Sequence, residues 1–249
     1  MQVTSDCFIS AQWPAPSHVR AGVTTRLGGT SEGVYASFNL AAHVGDSAVA
    51  VATNRQRLRN SLALPREPIW LQQVHGCAVV QADQCADDRC GDAVVSSAAG
   101  TVCAVLTADC LPVLLTDRAG TCVAAAHAGW RGLAAGVLEA TVQKLPVSPK
   151  TLLAWLGPAI GPRAFEVGDE VRAEFLRHHS HASAAFVPSP NQRWYADLYL
   201  LARQRLIGCG VQDIFGGEYC TCEDSRHFYS YRRDGVTGRM ASLIWLARE

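Results

Sequence analysis

A chain of 249 residues, 49% of them hydrophobic, is long enough to bury a full core as one large α/β unit or two small ones. Its 22 basic and 22 acidic residues cancel, so no net field draws it to nucleic acid or an acidic membrane, and any anion site has to be a local pocket. No basic run carries interleaved aromatics, no apolar run approaches a membrane span, and ten cysteines behind a start without signal-peptide character point to reduced thiols in a cytoplasmic protein.

In chain order, residues 22–33, GVTTRLGGTSEG, are glycine-rich but match neither the dinucleotide nor the phosphate-loop pattern. They predict loop geometry, with Arg26 a surface charge. FNLAAHVGD, residues 38–46, crowds Asn39, His43 and Asp46 ahead of a helical pattern. Asp46 reads as the N-cap of a helix over roughly 47–62 with Val51, Leu58 and Leu62 inward, and Asn39 and His43 suit capping or turn roles. WLQQVHGCAVVQA, residues 70–82, reads as two short strands bent at His75-Gly76, which puts this histidine at a strand end facing an open cleft. Asp83 to Gly91 predicts a solvated loop, and its Cys85 and Cys90, like Cys220 and Cys222, lack the paired spacing of a structural zinc site.

Residues 103–132, CAVLTADCLPVLLTDRAGTCVAAAHAGWRG, consist of two apolar runs around the turn-forming Asp117-Arg118-Ala119-Gly120. Cys110 stands at the outer end of one run and His127 at the outer end of the other. A two-residue loop over Arg118 and Ala119 sets Cys110 opposite His127, whereas a type I turn with a glycine bulge slips that register by one.

Beyond His127 the sequence AGWRG enters a helical stripe of Leu133, Val137, Leu138, Thr141 and Leu145. This start places Arg131 beside free backbone N–H groups, a pocket for an anion such as phosphate. TLLAWLGPAIGP predicts a buried strand, and FEVGDEVRAEFLRHH a helix with Val167, Val171 and Phe175 inward. His178, His179 and His181 read as a solvated helix end. Asp197 predicts the N-cap of a helix carrying Leu198, Leu201, Ala202 and Leu206 and stopping at Gly208 and Gly210. The last segment predicts strands around an Asp234-Gly235 turn, with Arg232 and Arg233 closing the site or edging the sheet.

The chemistry depends on whether His75, Cys110 and His127 converge. Two imidazoles and a thiolate leave zinc one open coordination position, as in catalytic rather than structural sites. Zinc held so lowers the pKa of bound water to about 7 or polarises a substrate oxygen. Asp109, beside Cys110, is the candidate for proton transfer or for a supporting hydrogen bond. Copper also accepts imidazole and thiolate, but eight histidines with a single HxH pair are too few for a trinuclear cluster. Without a metal, Cys110 and His127 form a nucleophile and base for an amide or thioester.

TADCLPVLL and AAHAGWRG, preceded by WLQQVHG and followed by GPAIGPRAFEVG, closely resemble the laccase-domain polyphenol oxidase family, now largely regarded as purine nucleoside phosphorylases. The likeness extends from GVTTRLGGTSEGVYASFNL to SYRRDGVTGRMASLIWL, nearly the whole chain. The resemblance implies an α/β (α+β) fold, a single-domain mixed-sheet sandwich with flanking helices over residues 1–249. It implies a metal site on His75, Cys110 and His127 holding Zn2+, with Cu2+ the older attribution. The implied reactions are phosphorolysis of adenosine, inosine, guanosine and methylthioadenosine and deamination of adenosine; some relatives are thought to edit peptidoglycan precursors. Expected partners are purine nucleosides and phosphate, without nucleic acid or membrane, in a monomer or weak homodimer. Taken with the residue reading, Arg131 and the helix start would hold phosphate, Asn39 and His43 would contact the nucleoside, and Asp109 and Cys110 would serve the reaction.

Overall fold

Apolar runs bounded by turn residues fold as strands along most of the chain, and the helices pack over the faces of the sheets they build. In the computed structural model, which describes residues 6–84, 89–177 and 179–248, the order begins β1 (Phe8–Ser10), β2 (Val19–Thr24), α1 (Ala48–Ser61) and β3 (Val79–Gln81). Next come β4 (Ala93–Ser96), β5 (Val102–Thr107), β6 (Leu111–Asp117), β7 (Val123–Ala128), α2 (Trp130–Ala135), α3 (Val137–Lys144) and β8 (Leu152–Leu156). The chain finishes with β9 (Glu166–Val167), α4 (Asp169–Leu176), β10 (Phe186–Pro188), β11 (Trp194–Ala196), α5 (Leu198–Gly208), β12 (Asp213–Gly216), α6 (Tyr231–Asp234) and β13 (Met240–Leu246).

Two large sheets face each other. An antiparallel sheet runs β1-β2-β13-β5, and a mixed six-stranded sheet runs β12-β8-β6-β7-β4-β3 with parallel pairs at both edges. Alternation along each strand divides the core into layers. Val23, Val105 and Ile244 meet Val94, Leu114 and Ala125 between the sheets. The outer face of the six-stranded sheet packs Val113, Leu115 and Ala124 on Leu133, Leu138, Leu201 and Leu206 of the helices. Behind the four-stranded sheet, Ala104 and Leu243 pack on Leu58 of α1, whose burial contributes about 1.5–3 kcal/mol. This is the α/β mixed-sheet sandwich with flanking helices that the family resemblance implies. A small sheet, β10-β11-β9, stands apart from the two layers in its pairing.

The central hairpin adopts neither predicted register. Gly120, at φ 66°, donates its N–H to Asp117 O, and the Asp117 carboxylate accepts from the N–H groups of Thr121 and Cys122, so the loop takes up two further residues. Pro112 therefore pairs with His127. A slip of two leaves every side chain on its original face, which makes Cys110 and His127 diagonal neighbours instead of a direct pair.

Several local expectations shift. Ser47, not Asp46, caps α1 by accepting from Ala50 N–H; Asp46 instead binds Ser31 and Asn39. Residues 70–82 contain one strand, β3, and His75 sits in a turn rather than at a strand end. The helix after His127 breaks at Gly136, at φ 98°, although the expected stripe stays buried. Val167 lies in β9, ahead of the helix. Asp234-Gly235 closes α6 instead of a hairpin, because Ser230 caps that short helix by accepting from Arg233 N–H. Arg26 lies over the Tyr229 ring and donates to Ala36 O and Ser225 O, so it bridges loops. Asp197 caps α5 as expected. Cys85 and His178 lie outside the described residues.

Candidate metal centre

β7 ends one residue past His127, β6 begins one residue after Cys110, and the turn at 74–76 folds over both. Asp92, one residue before β4, assembles this corner. Its carboxylate accepts from the N–H groups of Val74, His75 and Gly76 at 3.2, 2.9 and 2.7 Å. It also accepts from Nδ1 of His127 at 2.8 Å. A carboxylate only accepts, so Nδ1 carries a hydrogen and Nε2 is the nitrogen left to face a ligand.

The ligand-capable atoms of His75, Cys110 and His127 all lie within 4.8 Å of one another, with the two imidazole rings edge to face. Two nitrogens and one sulfur in that span fit a zinc ion with an open position. Glycines make the approach feasible. A Cβ at Gly129 would stand 3.0 Å from Cys110 Sγ and 3.6 Å from the His127 ring, and one at Gly132 would stand 2.7 Å from Gly76 O. His75 and Asp109 both adopt left-handed backbone, at φ 62° and 89°, which costs about 1–2 kcal/mol per residue and is characteristic of functional corners.

Burial alone would push the Cys110 thiol up, but the His127 imidazole and then His75 outweigh it and bring the thiol well below its ordinary value. Burial likewise disfavours a charged His127, yet the Cys110 sulfur and the Asp92 carboxylate raise it. In the metal-free chain the two therefore tend toward a thiolate–imidazolium pair. Among the described residues no other group of three or more histidines, cysteines or carboxylates has ligand spacing.

The three candidate ligands line a cavity of about 360 Å³, within the usual range for small-molecule sites. Leu106, Ile160, Phe165 and Trp130 give it apolar walls, and His43, Arg131, Arg232 and Arg239 supply cationic or polar groups. Asp109 is the one carboxylate among the described residues lining it. Partial burial, then Arg239 and Arg55, lower the His43 imidazole, which favours its neutral form. The Arg131 guanidinium lies 4.5 Å from the Trp130 ring centroid. Because α2 behind it has only six residues before Gly136, positive charge here comes from the guanidinium more than from an extended helix dipole.

Of the seven residues singled out in the sequence, His75, Cys110 and His127 meet, and His43, Asp109 and Arg131 line the same cavity. Asn39 does not. It is wholly buried, donating to Ala41 O and Asp46 while accepting from Ala41 N–H and Arg239 N–H, so it supports the backbone of a cavity arginine. Sequence reasoning missed Asp92, Gln73 and Arg239. Gln73 clasps both the N–H and the carbonyl of Leu106 at the end of β5. Only Asp92 had a findable signal, since a metal-bound histidine needs an acceptor for its second nitrogen.

A family model described as multi-copper polyphenol oxidoreductase laccase matches residues 20–247. The chain is 56% identical to the purine nucleoside phosphorylase PA4543 of Pseudomonas aeruginosa over 242 residues, covering 97% of this chain and 99% of that one. It is also 56% identical to the purine nucleoside phosphorylase YfiH of Escherichia coli, over 96% and 98% of the two chains. Among solved structures, protein NMB0706 of Neisseria meningitidis superposes with a TM-score of 0.93 at 48% identity, covering 97% of this chain and all of that one. YlmD of Geobacillus stearothermophilus superposes at 0.87 with 29% identity, over 99% and 98%.

Proposed function

The chain belongs to the multi-copper polyphenol oxidoreductase laccase family, and on that premise we propose that it is a zinc-dependent purine nucleoside enzyme that cleaves nucleosides with phosphate. The observation that carries this reading is the His75–Cys110–His127 cluster, three ligands within 4.8 Å, at the wall of a cavity rich in arginine. The names of its 56%-identical relatives, both purine nucleoside phosphorylases, supply the substrate class. An oxidase with a trinuclear copper centre needs further histidine ligands, and the described residues gather only this one set.

Zinc bound here supplies a Lewis-acid charge that polarises a substrate oxygen or water. The chain's own side chains do the rest. Asp92 fixes the His127 tautomer and the turn carrying His75, so two of the three donors are held ready. Arg131, with Arg232 and Arg239 on the same cavity, holds phosphate for attack on C1′ of the ribose as the glycosidic C–N bond breaks. Neutral His43 is suited to a hydrogen bond with a nucleoside hydroxyl, and Trp130 and Phe165 offer ring faces to the purine. Adenosine, inosine, guanosine and methylthioadenosine are the proposed substrates, with deamination of adenosine as a second reaction at the same centre.

Metal analysis of purified protein, paired with chromatography of adenosine incubations with and without phosphate, tests the proposal. Zinc together with phosphate-dependent release of adenine and ribose 1-phosphate supports it, and inosine formed without phosphate supports the deamination. Copper with oxygen uptake, or metal-free hydrolysis abolished by thiol alkylation, rejects it.

A further inference from the structure

Three donors from residues 221–232, each more than a hundred positions along the chain from Asp109, converge on its carboxylate beside the candidate metal ligands. Asp109 Oδ1 accepts from the Thr221 hydroxyl at 2.6 Å. Its Oδ2 accepts from the Ser230 hydroxyl at 3.0 Å and from the Arg232 N–H at 2.7 Å. Thr221 and Ser230 are both wholly buried, so neither hydroxyl can exchange this acceptor for bulk water. The Asp109 carbonyl, in turn, accepts from the N–H of Ile160, another cavity residue.

Asp109 adjoins Cys110, while Ser230 caps the short helix α6 that brings Tyr231 and Arg232 to the cavity. Three donors are already aimed at its two oxygens, so most of this carboxylate's acceptor capacity is committed to other parts of the chain. We infer that Asp109 is a positioning residue, whose carboxylate ties Thr221, Ser230 and the Arg232 backbone to the strand end bearing Cys110 and so fixes the Tyr231–Arg232 wall of the nucleoside cavity. The inference deepens the proposed nucleoside function and rests on it for its kinetic consequences. The tether itself is a statement about the fold. Hydrogen bonds to a charged acceptor are among the stronger ones in proteins, and removing the acceptor leaves buried donors unpaired.

Asp109→Asn and Thr221→Val, each examined by steady-state kinetics and by amide hydrogen exchange, test this. In Asp109→Asn an amide replaces one accepting oxygen; Thr221→Val deletes one tether while leaving the carboxyl in place. The expected result for Asp109→Asn is a nucleoside KM raised about tenfold, kcat within about threefold, an unaltered shape of the kcat–pH profile, and exchange at the Arg232 amide faster by about tenfold or more. Thr221→Val should show the same pattern, weaker. A collapse of kcat with loss of a limb of the pH profile in Asp109→Asn, with KM and Arg232 exchange unchanged and Thr221→Val like wild type, overturns the inference in favour of a proton carrier. If Asp109→Asn does not fold, Asp109→Glu joins Thr221→Val in its place: raised KM with faster exchange in both supports the tether, and wild-type values in both overturn it. The exchange measurement needs no substrate. A wild-type protein that leaves every purine nucleoside intact therefore sinks the functional reading alone, whereas unchanged Arg232 exchange sinks the tether alone.

Discussion

The Asp92 carboxylate and the His127 imidazole form a buried pair, with Nδ1–H donating to Oδ1 at 2.8 Å, and the same carboxylate receives the N–H groups of the turn that carries His75. One side chain thus orients two of the three candidate metal ligands. Asp92→Ala should weaken zinc binding about 10–100-fold, measured by competition with a chromophoric chelator. Unchanged affinity would show that the ligands hold their geometry without it.

Chelation should unmask a reactive thiol. Burial raises Cys122 to about 12, whereas the neighbouring imidazoles bring Cys110 below its ordinary value, so in the metal-free chain Cys110 ionises far more readily than Cys122. Iodoacetamide at pH 7 should label Cys110 ahead of Cys103 and Cys122 in chelator-treated protein, and added zinc should protect it. Peptide mass spectrometry reads the order of labelling, and equal rates for the three would reject the ion-pair picture.

Arg131→Ala should raise the KM for phosphate about tenfold while leaving the nucleoside KM near its original value, because the guanidinium is proposed to meet the anion and not the base. A phosphate KM equal to wild type removes Arg131 from that site.

Acid should loosen the central hairpin through Asp117. Burial works to raise its carboxyl, but hydrogen bonds from the backbone of Thr121 and Cys122 and the Thr121 hydroxyl outweigh burial and hold it below the ordinary range. A carboxyl depressed in the folded state adds stability that is present above its unfolded value of about 3.9 and is lost as pH falls through the lower folded value. Asp117→Asn should therefore lower stability at pH 7 by about 1–3 kcal/mol and flatten its decline in acid, as followed by urea denaturation. An equal loss at pH 7 and pH 2 would contradict this.

Gly132→Ala should damage the metal corner without touching a ligand. The added Cβ meets Gly76 O at 2.7 Å, a contact with backbone that a rotamer change cannot relieve. A stability loss of about 1–3 kcal/mol accompanied by weaker zinc binding is expected from calorimetry and chelator competition. Wild-type behaviour in both would mean that the 74–76 turn is free to retreat.

Much of this protein is legible without coordinates. Runs such as Leu111–Asp117 and Leu152–Leu156 are mostly apolar and buried at every position because both faces of their sheet are covered, by the second sheet and by helices. The three candidate ligands were also legible, since cysteine and histidine at the ends of such runs are chemically conspicuous and the surrounding motifs resemble one family. The hairpin register was not, because Asp117 can spend its carboxylate on Thr121 and Cys122, and that choice is made by side-chain geometry rather than residue pattern.

The sequence by itself supplied the α/β character and a candidate donor set, because apolar patterning and ligand chemistry are properties of residue types in local order and the surrounding motifs resemble one family. Only the tertiary structure decided that Asp92 holds His127, that Asn39 backs Arg239, and that Asp109 reaches Thr221 and Ser230. Those partners lie 35 to 200 residues apart along the chain. A buried carboxylate or amide must find donors or acceptors wherever folding brings them, and no periodicity of the chain records where that will be.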